Sequence, residues 1–339
     1  MKPCPAGGPD VGGRRCRTRL RAADPCRLPH GYDDLPPDSV ISAETVEVEW
    51  MADALRLGRR TFAPGDLAVM AIVNRTPDSF FDRGVTFAAD SALRAVERAV
   101  AEGAEIVDIG GVKAGPGAEV DVAEEIRRTV GTIAAVRAAF PEVVISIDTW
   151  RAEVATEAVA AGADLLNDTW SGADPALAEV AAATGVGLVC SHAGGLTPRT
   201  RPHRAAFADL LADVLDTVTG LAERAVRLGV RRDGILIDPA HDFGKNTRHS
   251  LEITRRLAEL TGTGWPVLVA LSNKDFVGET LDLPVDQRLE GTLAATAVSA
   301  WLGARVFRAH QVRPTRRLLD MVASIRGDRP PAVSRRGLA

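Results

Sequence analysis

From residue 67 onward the chain alternates between two hydrophobic patterns. Short, continuously apolar runs occur at 67–73, 106–109, 143–147, 165–166, 187–190, 235–237, 267–271 and 305–307. Runs of this length, apolar at successive positions, suit strands buried on both faces. Between and after them lie amphipathic segments of period 3.6 at 91–101, 121–140, 151–161, 175–184, 207–228, 247–260, 286–301 and 314–325. Gly103, Gly162, Gly185, Gly229 and Gly303 follow such segments where a left-handed cap belongs. Strands alternating with helices predict parallel β/α units, and eight units over about 275 residues predict an α/β fold of the (β/α)8 TIM-barrel type. No Gly-x-Gly-x-x-Gly follows the first run, which weighs against an open dinucleotide-binding sheet.

The N-terminal stretch has neither pattern. Residues 1–29 hold five prolines, four glycines and six arginines, and residues 30–50 carry six acidic groups with no Lys or Arg. Such a segment cannot bury enough apolar surface to offset its ordering entropy. We therefore expect a disordered extension over 1–50, a single barrel domain over 51–328 and a short tail over 329–339. Residues 51–62 read as a strand-forming leader, and Met51 is a candidate translation start.

Charge and cysteine content narrow the function classes. With 41 Lys plus Arg against 45 Asp plus Glu, the net charge of −4 leaves no basic footprint for nucleic acid. No run approaches the roughly 20 apolar residues of a membrane span, and the N-terminus lacks the apolar core of a signal peptide. A cytoplasmic protein is expected. Three of the four cysteines fall within the first 26 residues, so no disulfide framework is expected.

TIM barrels place their chemistry at the C-terminal ends of the strands. Read there, the runs end in Asn74, pass Asp108, and then reach Asp148, Asn167, Ser191 with His192, Asp238, Ser272 with Lys274, and Arg308 with His310. One polar strand end is ordinarily a helix cap; a full ring of them is hard to explain by capping. Mixed acceptors and donors at Asp148, Asn167, Asp238 and Lys274 suit a flat heterocycle with an amino-keto edge. Arg308 and His310 suit a phosphate or diphosphate, and Asn74 supplies a neutral oxygen of the kind Mg²⁺ accepts.

These residues sit in segments that resemble the signatures of dihydropteroate synthase, the pterin-binding barrel of folate synthesis. The segments are Asn74-Arg-Thr-Pro-Asp-Ser-Phe80, Asp108-Ile-Gly-Gly111, Ser146-Ile-Asp-Thr149, Leu166-Asn-Asp168, Asp238-Pro239 with Phe243-Gly-Lys245, Ser272-Asn-Lys274, Gly291-Thr292 and Arg308-Ala-His310. The resemblance implies that Asp148, Asn167, Asp238 and Lys274 hold the pterin, and that Arg308, His310 and Mg²⁺ near Asn74 hold its diphosphate. It further implies a homodimer built on the last helices. The reaction of that family condenses 6-hydroxymethyl-7,8-dihydropterin diphosphate with p-aminobenzoate.

The sequence also departs from that pattern. Gly-Gly-Glu-Ser-Thr-Arg-Pro-Gly becomes Gly110-Gly-Val-Lys-Ala-Gly-Pro-Gly117, and Ser-Arg-Lys becomes Ser272-Asn273-Lys274. Met-His-Met becomes Ser191-His192-Ala193. Two guanidiniums that serve anionic substrates are lost. Arg75 and Lys113, with Ser272, are the candidates for the p-aminobenzoate side, although a Lys does not reproduce the fork of an Arg. The pattern looks like the divergent second paralogue of actinobacteria, which implies a pterin pocket with little or no synthase activity. A working synthase with rebuilt loops is the alternative. Pterin-dependent methyl transfer is a further one, weakened because no cobalamin-binding domain accompanies the barrel.

Overall fold

A computed structural model describes residues 54–76, 89–200 and 206–336. The expected N-terminal extension, the candidate start at Met51 and residues 77–80 of the first signature lie outside the described residues.

Eight parallel strands form one sheet: β3 (Ala68–Asn74), β4 (Ile106–Gly110), β5 (Val144–Asp148), β6 (Leu165–Asp168), β7 (Gly187–Ser191), β8 (Ile235–Asp238), β9 (Leu268–Ala270) and β10 (Val306–Ala309). Their order is β8-β7-β6-β5-β4-β3-β10-β9. The two outer strands meet through a parallel bridge, Ile237 to Val267, with the Ile237 amide donating to the Pro266 carbonyl at 3.0 Å. The sheet thus closes into the expected (β/α)8 barrel. All eight apolar runs became strands at their expected places, and the five glycines have positive φ, from 74° at Gly185 to 114° at Gly162.

The helices are α1 (Ala89–Ala101), α2 (Val122–Ala139), α3 (Ala152–Ala160), α4 (Ala176–Thr184), α5 (Leu210–Leu228), α6 (Thr247–Arg255), α7 (Leu257–Thr261), α8 (Asp275–Leu281), α9 (Leu289–Trp301) and α10 (Val312–Arg326). Side-chain caps start several of them: Asp121 accepts from the Glu124 amide, and Asn246 forms a reciprocal capping box with His249. The structure differs from the sequence pattern in two places. The segment 247–260 breaks at Arg256 into α6 and α7. The seven-residue α8 follows β9 where too few turns exist to show a period.

The interior is layered along the barrel axis. Side chains alternate in direction along a strand, so Ile106 and Asp108 of β4 point the same way, as do Val144, Ser146 and Asp148 of β5. Met70, Ile106, Val144, Leu165, Val189, Leu236, Leu268 and Val306 form an apolar lower layer. It is sealed from below by Leu55, Leu57 and Phe62 on a hairpin of β1 (Leu55–Leu57) and β2 (Arg60–Phe62). The outward-facing set, including Ile109, Ile147, Leu166, Ile237 and Phe307, packs against the helices. One step above the apolar layer, the same inward positions become polar. Among the described residues no helix is long and apolar enough to cross a membrane.

Candidate active site

The polar upper layer is centred on Asp108, whose side chain is fully buried. Its Oδ1 accepts from the Ser146 hydroxyl at 2.6 Å, and its Oδ2 accepts from Asn167 Nδ2 at 3.1 Å and from Arg308 Nε at 2.6 Å. Strand register sets the first of these contacts, since Asp108 lies opposite Ser146, and Asn167 on β6 and Arg308 on β10 reach the same carboxylate from either side. Arg308 spans two carboxylates, because its Nη2 donates to Asp148 Oδ2 at 2.8 Å. The two carboxylates hold the guanidinium charged, its pKa raised against the effect of burial. Asp148 also accepts from the Thr169 hydroxyl at 3.4 Å. Burial, only partly offset by Arg308, pushes its carboxyl up to about 7.

The far wall comes from β8, β9 and their loops. Asp238 accepts the Ala240 amide at 2.7 Å, and burial raises its pKa against the pull of Lys274. Lys274 donates its ammonium to the His241 carbonyl and lies 4.9 Å from the centre of the Phe243 ring. Its pKa is lowered by burial, with Asp242 and Asp238 opposing. Lys245 ties the loops together by donating to the carbonyls of His192, Ala240 and Phe243 at 2.8, 3.1 and 2.8 Å. Burial brings its ammonium down to about 7. Trp170 is buried edge-on against Phe243 at 5.4 Å and against Trp150 at 6.5 Å.

The remaining candidates are distributed as follows. His310 meets the Ser272 hydroxyl through both its backbone amide and Nδ1, each at 3.1 Å. Burial and then the charge of Arg308 bring its imidazole down to about 3, so it is neutral at physiological pH. Asn273 is fully buried at φ 56° and donates from Nδ2 to Gln311 Oε1 at 3.1 Å. Gln311 is thus an amide partner the sequence reading did not single out. Arg75 is 8% exposed and turned against α2, where its Nε donates to the Arg128 carbonyl at 2.9 Å. Lys113 is half-buried on the β4–α2 loop, and Asn74 closes β3 opposite Gly110. Cys190 faces the outer core with its thiol pKa raised by burial.

Two arginines fasten the β4–α2 loop. Arg128 Nη1 donates to the Gly111 carbonyl at 2.9 Å, and Arg151 Nη2 donates to the Val120 carbonyl at 2.8 Å. Each is held in turn by one of the adjacent glutamates opening α2, Arg128 by Glu124 at 2.6 Å and Arg151 by Glu125 at 2.7 Å. The i,i+4 spacing of Glu124 and Arg128 is visible in the sequence, but the reach of Arg128 to Gly111 and of Arg151 to Glu125 and Val120 crosses elements and has no spacing in one chain. Among the described residues no three His, Cys, Asp or Glu side chains group to hold a metal ion. The Asn74 amide could offer a single neutral oxygen, which fits an ion arriving on a ligand's phosphates better than one resident in the protein.

The chain that builds this barrel mouth, with acceptors and cations interleaved around one buried carboxylate, is similar in sequence and fold to a known set of proteins. The model of the family described as pterin binding enzyme matches residues 70–310. The chain belongs to that family. It is similar to "Inactive dihydropteroate synthase 2" of Mycobacterium tuberculosis, at 61% identity over 280 residues covering 81% of this chain and 88% of the relative. It is also similar to dihydropteroate synthase of Bacillus subtilis, at 39% identity over 75% of this chain and 87% of that one. The solved structure of Yersinia pestis dihydropteroate synthase with a sulfonamide drug complex superposes with a TM-score of 0.77 at 34% identity. That likeness covers 82% of this chain and all of the other. The family match runs from within β3 to the end of β10 and so takes in all eight barrel strands, β3 in part. The loop that departs most from the pattern, with Ala114 and Gly115, is the one the two arginines pin.

Proposed function

We propose that this protein binds a pterin-type ring at the top of the barrel and has little or no dihydropteroate synthase activity. The observation that carries the reading is a contrast within one site. Asp148, Asn167, Asp238 and Lys274 converge on the barrel mouth, whereas the loop above them offers Val112, Ala114 and Gly115 where substrate-enclosing side chains are expected. The similarity to relatives named inactive supports it. Arg75 does little to replace the lost charge, since its guanidinium is engaged beneath α2. A charge-assisted hydrogen bond contributes about 1.5–3 kcal/mol, so the loss of two such donors outweighs what one Lys113 ammonium restores. The reading places the protein in the cytoplasm, with a pterin as its small-molecule partner. Mg²⁺ would enter with a phosphorylated ligand and meet Asn74; no step of the reading depends on it.

A homodimer through α9 and α10 belongs to the same reading. Val298 and Trp301 on α9 and Met321 and Ile325 on α10 are 47, 60, 61 and 59% exposed. Their three- and four-residue spacings put each pair on one helix face.

The test is complementation of a strain lacking dihydropteroate synthase on folate-free medium, paired with calorimetric titration of the pterin diphosphate. Binding without growth is expected, and growth at the normal rate overturns the reading. Ala114→Thr, Gly115→Arg and Asn273→Arg together should raise the turnover of the purified protein. Asn273→Arg alone should destabilise it by about 1–3 kcal/mol, because only Asn, Asp and Gly tolerate the left-handed backbone there at low cost.

A further inference from the structure

Asn167 is 1% exposed, and its two amide atoms have opposite fates. Nδ2 donates to Asp108 Oδ2 at 3.1 Å, whereas Oδ1 is buried with no hydrogen-bond donor among the described residues. Asp108 already accepts at both oxygens, from the Ser146 hydroxyl and from the Arg308 guanidinium, so it offers the amide an acceptor and cannot pair with its oxygen. Of the two orientations open to the amide, Asp108 therefore permits one, with nitrogen toward itself and oxygen away. Ser146 and Arg308 hold the carboxylate in place, donating to Oδ1 and Oδ2 at 2.6 Å each. A buried acceptor left without a donor is a standing penalty that an entering N–H relieves. With the Asp148 and Asp238 carboxylates nearby on β5 and β8, the floor of the mouth is rich in acceptors.

We propose that Asp108 is a positioning residue that locks the Asn167 amide so that Oδ1 accepts from a ring N–H, making the pocket select heterocycles with a donor edge. The inference rests on the pterin reading above. It assigns discrimination to a residue beneath the pocket that acts through its neighbour.

The experiment titrates the full chain with three ligands: a 7,8-dihydropterin, its fully oxidised form, which lacks N8–H, and the 2,4-dioxo analogue, which replaces the amino group by a carbonyl. The unmodified protein should bind the dihydropterin at least about tenfold tighter than one of the two analogues, the size of a single mismatched hydrogen bond. Asp108→Ala frees the amide to turn and should reduce that ratio to near one. Asp108→Asn should preserve the ratio, because an amide oxygen can still receive Asn167 and Arg308 while its nitrogen turns to the Ser146 hydroxyl. A merely structural role would lower all affinities together and leave the ratio intact. If Asp108→Ala does not fold, Asn167→Ala provides the same readout, and an undiminished ratio there overturns the inference. Binding of the dihydropterin with a ratio insensitive to Asp108→Ala overturns the inference and leaves the pterin reading standing. Failure of all three ligands to bind overturns both.

Discussion

Asp148 sits where burial and charge pull against each other. Its carboxylate faces Arg308 at 2.8 Å, yet burial wins and its folded pKa rises to about 7, above the usual carboxylate value. A raised carboxyl pKa means that the folded state holds the proton more tightly than the unfolded chain. Its contribution to stability is therefore complete below about pH 4 and is lost as pH rises through about 7. Asp148→Asn should flatten the thermal stability profile between about pH 4 and 7, which melting curves at several pH values would show. An unchanged slope in the variant would assign the titration elsewhere. His310 presents the opposite case: a histidine beside an arginine invites the reading of a second cation, but burial keeps it neutral. Sequence position told which residues reach the mouth; protonation depended on what covers them.

At the scale of elements, β4, the loop after it and α2 form the part of the barrel most altered from the family pattern. Adjacent glutamates 124 and 125 hold Arg128 and Arg151, and the arginines hold the two ends of the loop. Glu125 is fully buried, with Oε2 paired to Arg151 at 2.7 Å. Removing one partner of such a pair leaves an uncompensated charge, so Arg151→Ala should cost about 3–5 kcal/mol in urea unfolding. Glu125→Gln with Arg151→Met, which removes both charges, should cost markedly less. Equal losses in the two variants would show that loop packing, and not the charge, sets the cost. Gly111 supports the same closeness, since a Cβ there would come within 2.8 Å of the Thr129 methyl and 3.2 Å of Glu125 Cγ. The glycine was readable as a family signature; its reason is the approach of the loop to α2.

For the whole molecule, the barrel divides the chain into a stable base and a chemical mouth. The hairpin β1–β2 closes the base with Leu55, Leu57 and Phe62, and the polar layer opens at the other end. On the flank, α9 and α10 leave Trp301 and Met321 outward. If that face joins a second copy, Trp301→Glu with Met321→Glu should shift sedimentation to the monomer while leaving ligand titration unchanged. A parent protein already monomeric at micromolar concentration would remove the dimer from the proposed function.

The sequence by itself determined the order and number of the barrel strands and the places of most helices, because apolar runs and 3.6-residue periods are local properties that survive in one dimension; the break at Arg256 and the short α8 were not legible there. It also determined which polar residues crown the strands, and hence the family. Tertiary structure decided the pairings: Arg308 between Asp108 and Asp148, Asn273 with Gln311, and Arg75 turned beneath α2. These contacts join residues 38 to 200 positions apart. No spacing rule encodes them; they follow from barrel closure, which brings distant strand ends to one level and burial to bear on their charges.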